Sequence, residues 1–313
     1  MGSPKIGLFE LGTHRVVHIP NCIVQHPLIN RVAGVVRRAL VETQVTCYSD
    51  KAQLGLARYL QVVVERSSQT AQVVIVGNSA TAAPLAACLD LIRERLGPEL
   101  HSLWFNANCE QSNTILGANF EHWCGPASVI ERFGGAEVHF PPGAFGQNNL
   151  EIAEAIIEHL RPEIPQGARV AEFYAGVGAI GLSVLARAGQ MRFNELNPQS
   201  LQGLELGLAA LDAESRAKIS LLPGPAAASQ AAALGAEVVI ADPPRKGLDS
   251  ELVAYLAETA PECVLYVSCG LDSFLSDAAR LTAGGKLRLG ALTAFNLLPF
   301  TEHVETVARF ERV

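Results

Sequence analysis

The chain has 313 residues, of which 49% are apolar, and its formal net charge is −7. A chain of this length can bury two hydrophobic cores, and its acidic balance argues against a protein that coats nucleic acid nonspecifically. No apolar run approaches the ~20 residues of a membrane span, and the N-terminus lacks the basic-then-apolar layout of a signal peptide. We therefore expect a globular, cytoplasmic protein without a membrane partner.

The seven cysteines are scattered along the chain, and no two of them lie at a Cys-x-x-Cys spacing. This dispersal argues against a local zinc site or redox pair, and we expect most of the thiols to be buried packing residues. Two groups of basic residues remain candidates for contact with an anionic partner. One group is Arg31, Arg37 and Arg38 in one predicted helix, for which a solvated helix face is the favoured interpretation, and the other is Arg245 with Lys246 later in the chain.

The first half of the chain mixes strands and helices without a regular order. This pattern predicts an α+β domain over residues 1–141. Its expected elements are a hairpin over 5–19, helices Pro27–Glu42 and Ala82–Leu96, strands Leu60–Glu65, Ala71–Val76 and Ser102–Ala107, and a meander to Phe140. The Pro141-Pro-Gly143 stretch interrupts the pattern and marks the predicted domain boundary.

Residues 142–313 alternate helix and strand regularly, which predicts an α/β domain with a mostly parallel, doubly wound, Rossmann-like sheet. The predicted helices cover 149–160, 179–188, 198–211, 250–259 and 272–283, and the predicted strands cover 169–174, 190–195, 237–241 and 263–268. Two final strands, Lys286–Phe295 and His303–Phe310, are expected to form an antiparallel pair. That pair favours a class I methyltransferase domain over a plain dinucleotide-binding domain.

A glycine-rich turn joins the first strand of this alternation to the next helix. Gly176 and Gly178 allow a tight turn and close approach of a ligand, and Gly181 allows the helix to pack on the strand. The next strand ends at Glu195, where a carboxylate can hold a ribose diol. Dinucleotides and adenosyl cofactors share this need, so the turn and the carboxylate leave both kinds of ligand open.

Two later strands carry the more specific pattern. One apolar run stops at Asp242-Pro-Pro-Arg-Lys-Gly247, and another, Tyr266-Val-Ser-Cys269, ends on a thiol. Because the carboxyl ends of parallel strands meet at one edge of the sheet, Asp242 and Cys269 should face one crevice. A dehydrogenase needs neither group there, whereas a methyltransferase acting on a planar base does.

With these stretches in place, the chain resembles the RNA (uracil-5-)-methyltransferase family, enzymes that use S-adenosylmethionine to make 5-methyluridine in tRNA or rRNA. Six stretches carry the resemblance in matching order and spacing. They are Phe145-Gly-Gln-Asn148, Phe173-Tyr-Ala-Gly-Val-Gly178, Asn194-Glu195, Asp242-Pro-Pro-Arg-Lys-Gly247, Tyr266-Val-Ser-Cys269 and Pro299-Phe-Thr-Glu-His-Val-Glu305. A looser likeness in Asn106-Ala-Asn108 and Asn113-Thr-Ile-Leu-Gly117 implies that residues 1–141 form a substrate-recognition domain for RNA.

The resemblance also implies residue roles. Cys269 would be the nucleophile that adds to C6 of uracil, and Glu305 the base that removes the C5 proton, with nearby Glu302 as the alternative base. The implied cofactor contacts are Gln147, Tyr174, Gly176, Gly178, Glu195 and Asp242, and the implied substrate contacts are Phe145, Gln147, Asp242 and Arg245. The implied cofactor is S-adenosylmethionine, and the implied partner is the RNA substrate.

The chain departs from the family pattern at several points. Gly146 replaces a bulkier residue, Gly270 replaces an asparagine, and Glu172 stands where aspartate is common. The N-terminal OB-like domain of many members is missing, so the chain is expected to be a shortened or late-starting form. The clustered cysteines that hold an iron–sulfur cluster in several members are missing too. Cys22 stands at the position of a fourth cluster ligand. Because the other cysteine ligands are missing, we expect no iron–sulfur cluster and no metal.

Two other readings remain open at the level of sequence. The chain could be a degenerate member that binds cofactor or RNA without turnover, for which its acidic charge and Gly270 argue. It could instead methylate another target, namely a cytosine, a protein or a small molecule. Cytosine-5 enzymes typically carry Pro-Cys at the fourth strand, where this chain has Pro-Pro-Arg, so the first of these targets is disfavoured.

Overall fold

A computed structural model describes residues 4–297, 301 and 303–313 of the protein. The chain divides into two compact units, Met1–Glu131 and Arg132–Val313. This division falls earlier than the boundary predicted at Pro141, because the strand that ends at Phe140 packs against helices of the second unit.

The first unit is an α+β structure with a four-stranded sheet. Its strands are β1 (Gly7–Phe9), β2 (Val16–His18), β3 (Ala57–Glu65), β4 (Thr70–Gly77), β5 (Leu100–Ala107) and β6 (Asn119–Cys124), and its helices are α1 (Pro27–Glu42) and α2 (Ala86–Leu96). β1 and β2 form a separate hairpin. The sheet follows the order β3-β4-β5-β6, in which only β4 and β5 run parallel.

The helix α1 illustrates why this unit folds as the sequence predicts. Its buried residues recur at helical spacing: Leu28, Val32, Val35, Val36, Ala39 and Leu40. The helix begins where Pro27 takes the first helical position and the imidazole of His26 accepts a hydrogen bond from the Leu28 N–H. Its apolar face joins α2 in the core of this unit, together with Ile75 and Phe105 of the sheet.

The second unit is the α/β part of the chain. Its strands are β7 (Val129–Phe133, which spans the division), β8 (Ala136–Phe140), β9 (Ala168–Phe173), β10 (Ala188–Glu195), β11 (Ile219–Pro223), β12 (Val238–Ala241), β13 (Cys263–Ser268), β14 (Leu287–Phe295) and β15 (Glu305–Arg312). Its helices are α3 (Leu150–Leu160), α4 (Ala179–Val184), α5 (Pro198–Ala209), α6 (Ala213–Ala217), α7 (Ser250–Thr259) and α8 (Leu271–Thr282). β7 and β8 pair as a hairpin.

Seven strands form the central sheet in the order β11-β10-β9-β12-β13-β15-β14. The first five run parallel, and β15 pairs antiparallel with both β13 and β14. The predicted doubly wound sheet and its closing antiparallel pair are thus confirmed. From β9 the chain first builds outward to β11 and then crosses back to β12, so the order reverses between β9 and β12. Ligands bind at such a reversal, outside the carboxyl ends of the strands.

The structure corrects the sequence analysis in one segment and several boundaries. The strand β11 and the short helix α6 were not predicted, and they fill the chain between α5 and β12. The helix expected over 179–188 ends at Val184, because the chain turns there into β10. The last strand runs over Glu305–Arg312 rather than His303–Phe310.

Candidate active site

A cavity of about 1180 Å³ opens at the carboxyl edge of the central sheet, where the strand order reverses. Pockets for a single small molecule usually measure about 300–1,000 Å³, so this cavity has room for a cofactor and part of a second ligand. Of the ten residues to which the resemblance gives a catalytic or binding role, nine line it: Phe145, Gln147, Tyr174, Gly176, Glu195, Asp242, Arg245, Cys269 and Glu305. Gly178 is not among the lining residues.

The glycine turn after β9 is shaped by two left-handed residues. Gly176 has φ +58°, and a Cβ added there would meet no atom within 4 Å, so its backbone is open to the cavity. Gly178 has φ +83° and begins α4; an added Cβ would lie 2.6 Å from Leu204 Cδ1. Gly178 thus serves the turn and the packing beneath it, while Gly176 faces the ligand space.

Glu195 ends β10 at the neighbouring position of the sheet edge. One carboxylate oxygen accepts the N–H of Gly176 at 2.7 Å, and the other accepts the N–H groups of Leu196 at 2.7 Å and Asn197 at 2.6 Å. Three backbone donors therefore fix the carboxylate. The oxygen that accepts from Gly176 has one lone pair left, so Glu195 can also accept from a ribose hydroxyl.

A wall of small residues after β11 was missed by the sequence analysis. Gly224, Pro225, Ala226 and Ala227 line the cavity there. The side-chain amide of Asn194 holds the segment by donating to the carbonyls of Leu222 and Gly224, each at 2.9 Å. These residues carry no reactive group, and only the prediction of β11 would have placed them at the sheet edge.

Cys269 and Glu305 reach the same edge through the antiparallel pairing of β13 and β15. Ser268 pairs with Thr306, and the Thr306 hydroxyl donates to the Ser268 carbonyl at 3.2 Å. Cys269 follows Ser268 in the chain, and Glu305 precedes Thr306, so the end of this register leads directly to both residues. Both of them line the cavity.

The ionisable groups around the thiol are displaced toward their neutral forms. Burial raises the pKa of Glu305 to about 7, and burial together with Glu305 raises the pKa of Asp242 to about 8. The pKa of the Cys269 thiol is also raised, by burial and then by the carboxylates of Glu305 and Asp242, while Arg245 opposes that rise. Perturbed groups gathered in one cleft are typical of a catalytic site.

Glu172 adds a fourth carboxyl group to the cavity wall. It is buried, and its Oε2 atom has no hydrogen-bond partner among the described residues. Burial, followed by the charge of Asp242, raises its pKa well above the usual range. A Cβ on Gly181 would lie 2.1 Å from Oε2, so this glycine is required for the carboxyl to fit beside α4.

The residues expected to contact the substrate lie at the rim of the cavity. The side chain of Phe145 is 69% exposed, which leaves its ring available for stacking. Gln147 is half-buried, and Arg245 is exposed on the loop after β12. The unusual Gly146 between Phe145 and Gln147 lies against Phe140, because a Cβ there would be 3.0 Å from the Phe140 ring.

Tyr174 takes a different position from the other expected cofactor contacts. Its backbone is left-handed, with φ +57°, which is uncommon for a residue other than glycine. Its phenol oxygen accepts the N–H of Asp249 at 2.9 Å, so its ring spans from the glycine turn to the loop after β12. The ring lines the cavity, while the hydroxyl group holds the loop.

The described part of the chain carries neither a candidate metal site nor a helix that could span a membrane. Within it, no group of three or more His, Cys, Asp and Glu side chains could hold a metal ion. All seven cysteines are free thiols, and Cys22 donates its N–H to the side chain of Asn30. Among the helices of residues 4–297, 301 and 303–313, none is long and apolar enough to cross a membrane. The alternative base Glu302 lies outside the described residues, as do Pro299 and Phe300 of the same stretch.

Comparison with protein families gives a match for the C-terminal part of the chain. A family model described as tRNA (uracil-5-)-methyltransferase matches residues 231–313. Those residues include the loop after β12, the turn that carries Cys269 and the strand that begins with Glu305.

Comparison with individual proteins extends over nearly the whole chain. An uncharacterized RNA methyltransferase of Protochlamydia amoebophila is 35% identical over 99% of this chain and 82% of its own length. A second uncharacterized RNA methyltransferase, from Geobacter sulfurreducens, is 28% identical over 97% of this chain. The chain spans 62% of that relative's length.

A solved structure shows the same fold. It is the crystal structure of tRNA (uracil-54, C5)-methyltransferase from Pyrococcus abyssi in complex with S-adenosyl-L-homocysteine. The match has a TM-score of 0.77 and 21% sequence identity, and it covers 95% of this chain and 70% of the archaeal chain.

Proposed function

The chain belongs to the RNA (uracil-5-)-methyltransferase family, and from that premise we propose that it methylates C5 of a uridine in RNA. The methyl donor is S-adenosylmethionine, and the reaction passes through a covalent bond between Cys269 and C6 of the base. The observation that carries the proposal is the register of β13 and β15, which brings a thiol and a carboxyl group of pKa about 7 to one cavity edge.

The cavity residues fit S-adenosylmethionine by their chemistry. The anchored carboxylate of Glu195 suits a ribose diol, and the small residues 224–227 leave space for a flat ring. The carboxyl groups of Glu172 and Asp242 line the same cavity and can form hydrogen bonds with the ligand, and Glu172 has an oxygen without a partner among the described residues. When bound, S-adenosylmethionine supplies an electrophilic methyl group on a sulfonium; Gln147, Tyr174 and Gly176 complete the proposed binding set, and Gly178 shapes the turn beneath them.

Cys269 makes C5 of uracil nucleophilic. Its thiolate forms a bond to C6, and the electron pair of the C5=C6 double bond moves into the enolate of the ring. The enolate electron pair at C5 can then form the bond to the methyl group, while the bond from that methyl group to the donor's sulfur breaks and its electron pair stays on that sulfur, so that the donor would leave as a neutral thioether. Because only the thiolate reacts, the raised pKa of Cys269 means that its proton must leave when the substrate is in place. Glu305 and Asp242 are the nearby groups that raise this pKa, and each can hold a proton near neutral pH.

Glu305 completes the reaction by removing the proton from C5. The electron pair of that C–H bond re-forms C5=C6, the bond from sulfur to C6 breaks, and the Cys269 thiolate is released. A general base works best when its pKa lies near the working pH, which matches the pKa of about 7 at Glu305.

The rim residues are proposed to hold the target uridine. Phe145 is exposed enough to stack on a base, a contact worth about 1–3 kcal/mol. Gln147 and Asp242 offer hydrogen bonds to the polar edge of uracil, and Arg245 offers a positive charge to the RNA. The target must leave its stack to enter the cavity. We further propose that residues 1–141 recognise the RNA, and that the protein works in the cytoplasm.

The test is a methylation assay on RNA. Purified protein is incubated with methyl-labelled S-adenosylmethionine and unmodified total RNA, which is then digested to nucleosides. The expected product is labelled 5-methyluridine, and fractionation by size separates tRNA from rRNA. Label in 5-methylcytosine or in protein would contradict the proposal, as would binding of cofactor with no label in any RNA fraction.

A further inference from the structure

The loop after β12 is tied to α8 by side chains one helical turn apart. Ser273 places its hydroxyl within 2.9 Å of two backbone carbonyls, those of Arg245 and Gly270. Asp277 accepts the N–H of Leu248 at 2.8 Å with Oδ2. Because residues four apart share one face of a helix, α8 holds the loop at both of its ends.

Asp277 is itself held in place from the sheet. The buried hydroxyl of Tyr266 donates to Asp277 Oδ2 at 2.8 Å, and that oxygen is the one that accepts from the loop. Gly247 is required at this contact, since its φ is +85° and a Cβ would lie 2.5 Å from Asp277 Oδ2. The C-terminal end of the loop is therefore fixed independently of Ser273.

The other end of the loop meets the turn that carries the proposed nucleophile. A Cβ on Gly270 would lie 2.7 Å from Ser273 Oγ and 2.8 Å from the Arg245 carbonyl oxygen. Gly270 has φ −125°, so the demand for glycine comes from this close approach and not from the backbone angle. The loop and the residue after Cys269 therefore lie in near contact, with the Ser273 hydroxyl between their carbonyls.

This contact bears on the charge around the thiol. The groups that act on Cys269 are Glu305 from β15, Asp242 from the end of β12 and Arg245 from the loop. Arg245 is the member of this set that favours the thiolate, and the Ser273 hydroxyl binds the carbonyl of the same residue.

We propose that Ser273 is a positioning residue for Cys269. Its hydroxyl joins the Arg245 backbone to the Gly270 turn and so keeps the Arg245 side chain where it favours thiolate formation. The consequence for turnover rests on the proposed function, whereas the consequence for thiol reactivity requires neither RNA nor cofactor.

The test is alkylation of Cys269 by iodoacetamide as a function of pH, quantified on the Cys269 peptide by mass spectrometry so that other thiols do not contribute. Ser273→Ala should move the profile to higher pH and slow alkylation at neutral pH by about threefold to tenfold, the size expected for one lost hydrogen bond. Ser276→Ala is the matched control, since Ser276 is exposed on the same helix. Equal profiles for wild type and Ser273→Ala would overturn the proposal.

A second comparison tests whether Ser273 acts through Arg245. In an Arg245→Gln background the carbonyl contact can persist but the positive charge is gone, so Ser273→Ala should no longer shift the alkylation profile. A shift of equal size in both backgrounds would overturn the proposal, because Ser273 would then act by another route. Circular dichroism and a thermal melt of each variant verify that the fold is retained.

Turnover separates this proposal from the proposed function. If the wild type makes 5-methyluridine, Ser273→Ala should lower kcat by about threefold to tenfold and leave KM for RNA nearly unchanged. A rise in KM with kcat unchanged would contradict the positioning role. If the wild type makes no product, the proposed function fails, while the alkylation profiles still decide the role of Ser273.

Discussion

The two ends of the cavity are built in different ways. At the ends of β9 and β10, the ligand space is shaped mainly by backbone groups: the backbone of Gly176 is open to the cavity, and three N–H groups hold the Glu195 carboxylate in place. At the ends of β12, β13 and β15, ionisable side chains line the cavity instead, and burial raises the pKa values of Asp242, Cys269 and Glu305.

This contrast separates binding from chemistry. Backbone donors keep one charge state, so the N–H groups that hold Glu195 in place do so in the same way on both sides of neutral pH. The end with Cys269 and Glu305 holds groups that change their charge near neutral pH, as proton transfer requires. Substitutions at the first end should therefore weaken binding, whereas those at the second should reduce the rate or alter its pH dependence.

The largest expected effect is loss of the thiol. Cys269→Ala should lower methyl transfer by about a thousandfold or more, as removal of a covalent nucleophile does in other enzymes. Affinity for S-adenosylmethionine, measured by calorimetry, should stay near that of wild type. Cys109→Ala, which removes an exposed thiol of the first unit, is the control. Methylation of RNA by Cys269→Ala at the wild-type rate would refute the covalent route.

The next effect concerns the other end of the cavity. Glu195→Gln removes the charge that accepts from three backbone N–H groups and should weaken binding of S-adenosylmethionine by about tenfold to a hundredfold. At saturating cofactor the rate should largely recover. Glu205→Gln, an exposed carboxyl on α5, provides the matched control. A Glu195→Gln variant that binds S-adenosylmethionine normally but turns over slowly would contradict the assignment of binding to one end of the cavity and chemistry to the other.

The dependence of rate on pH is a smaller effect. Glu305 has a pKa of about 7 and must be deprotonated to act as a base, so kcat should fall by about tenfold per unit as pH drops below 7. Single-turnover rates from pH 5.5 to about 8.5 provide the measurement. A rate independent of pH between 5.5 and 7 would be inconsistent with Glu305 as the base.

The smallest effect is on stability. Burial beside Glu305 raises the pKa of Asp242 from its usual 3.8 to about 8. The folded state thus keeps a proton that the unfolded state releases in this window, and stability falls as pH rises from 3.8 to about 8. Asp242→Asn should therefore raise Tm at pH 8, by about 2–4 °C for roughly 1 kcal/mol, and by less at pH 5. An equal change at both pH values would argue against a charge effect.

The sequence predicted the end of the cavity at β12, β13 and β15 better than the end at β9 and β10. Asp242 and Cys269 each follow a continuous apolar run, and such runs are typical of buried parallel strands. Their convergence followed from the rule that these strand ends share an edge. Glu305 was placed by resemblance, and the register of β13 with β15 brings it to the cavity.

What the sequence did not predict lies around β11. The segment from Ala213 to Glu237 is rich in alanine, and its residues show neither the alternation of a strand nor the spacing of an amphipathic helix. The cavity wall formed by the small residues Gly224–Ala227 could therefore not be predicted from the sequence. The contact of Gly270 with Ser273 and Arg245 was equally hidden, because it joins separate elements in three dimensions. What the sequence showed as an odd glycine is, in the structure, a steric requirement.

The most direct test of the central claim is to trap the covalent intermediate. Glu305→Gln protein is incubated with S-adenosylmethionine and labelled RNA, and then run on a denaturing gel. Cys269 should still add to C6 and methylation should proceed, but without the base the adduct cannot eliminate, so a protein–RNA band should accumulate. The band should vanish in the Cys269→Ala/Glu305→Gln variant. A band that persists without Cys269, or free 5-methyluridine released by Glu305→Gln at the wild-type rate, would contradict the account.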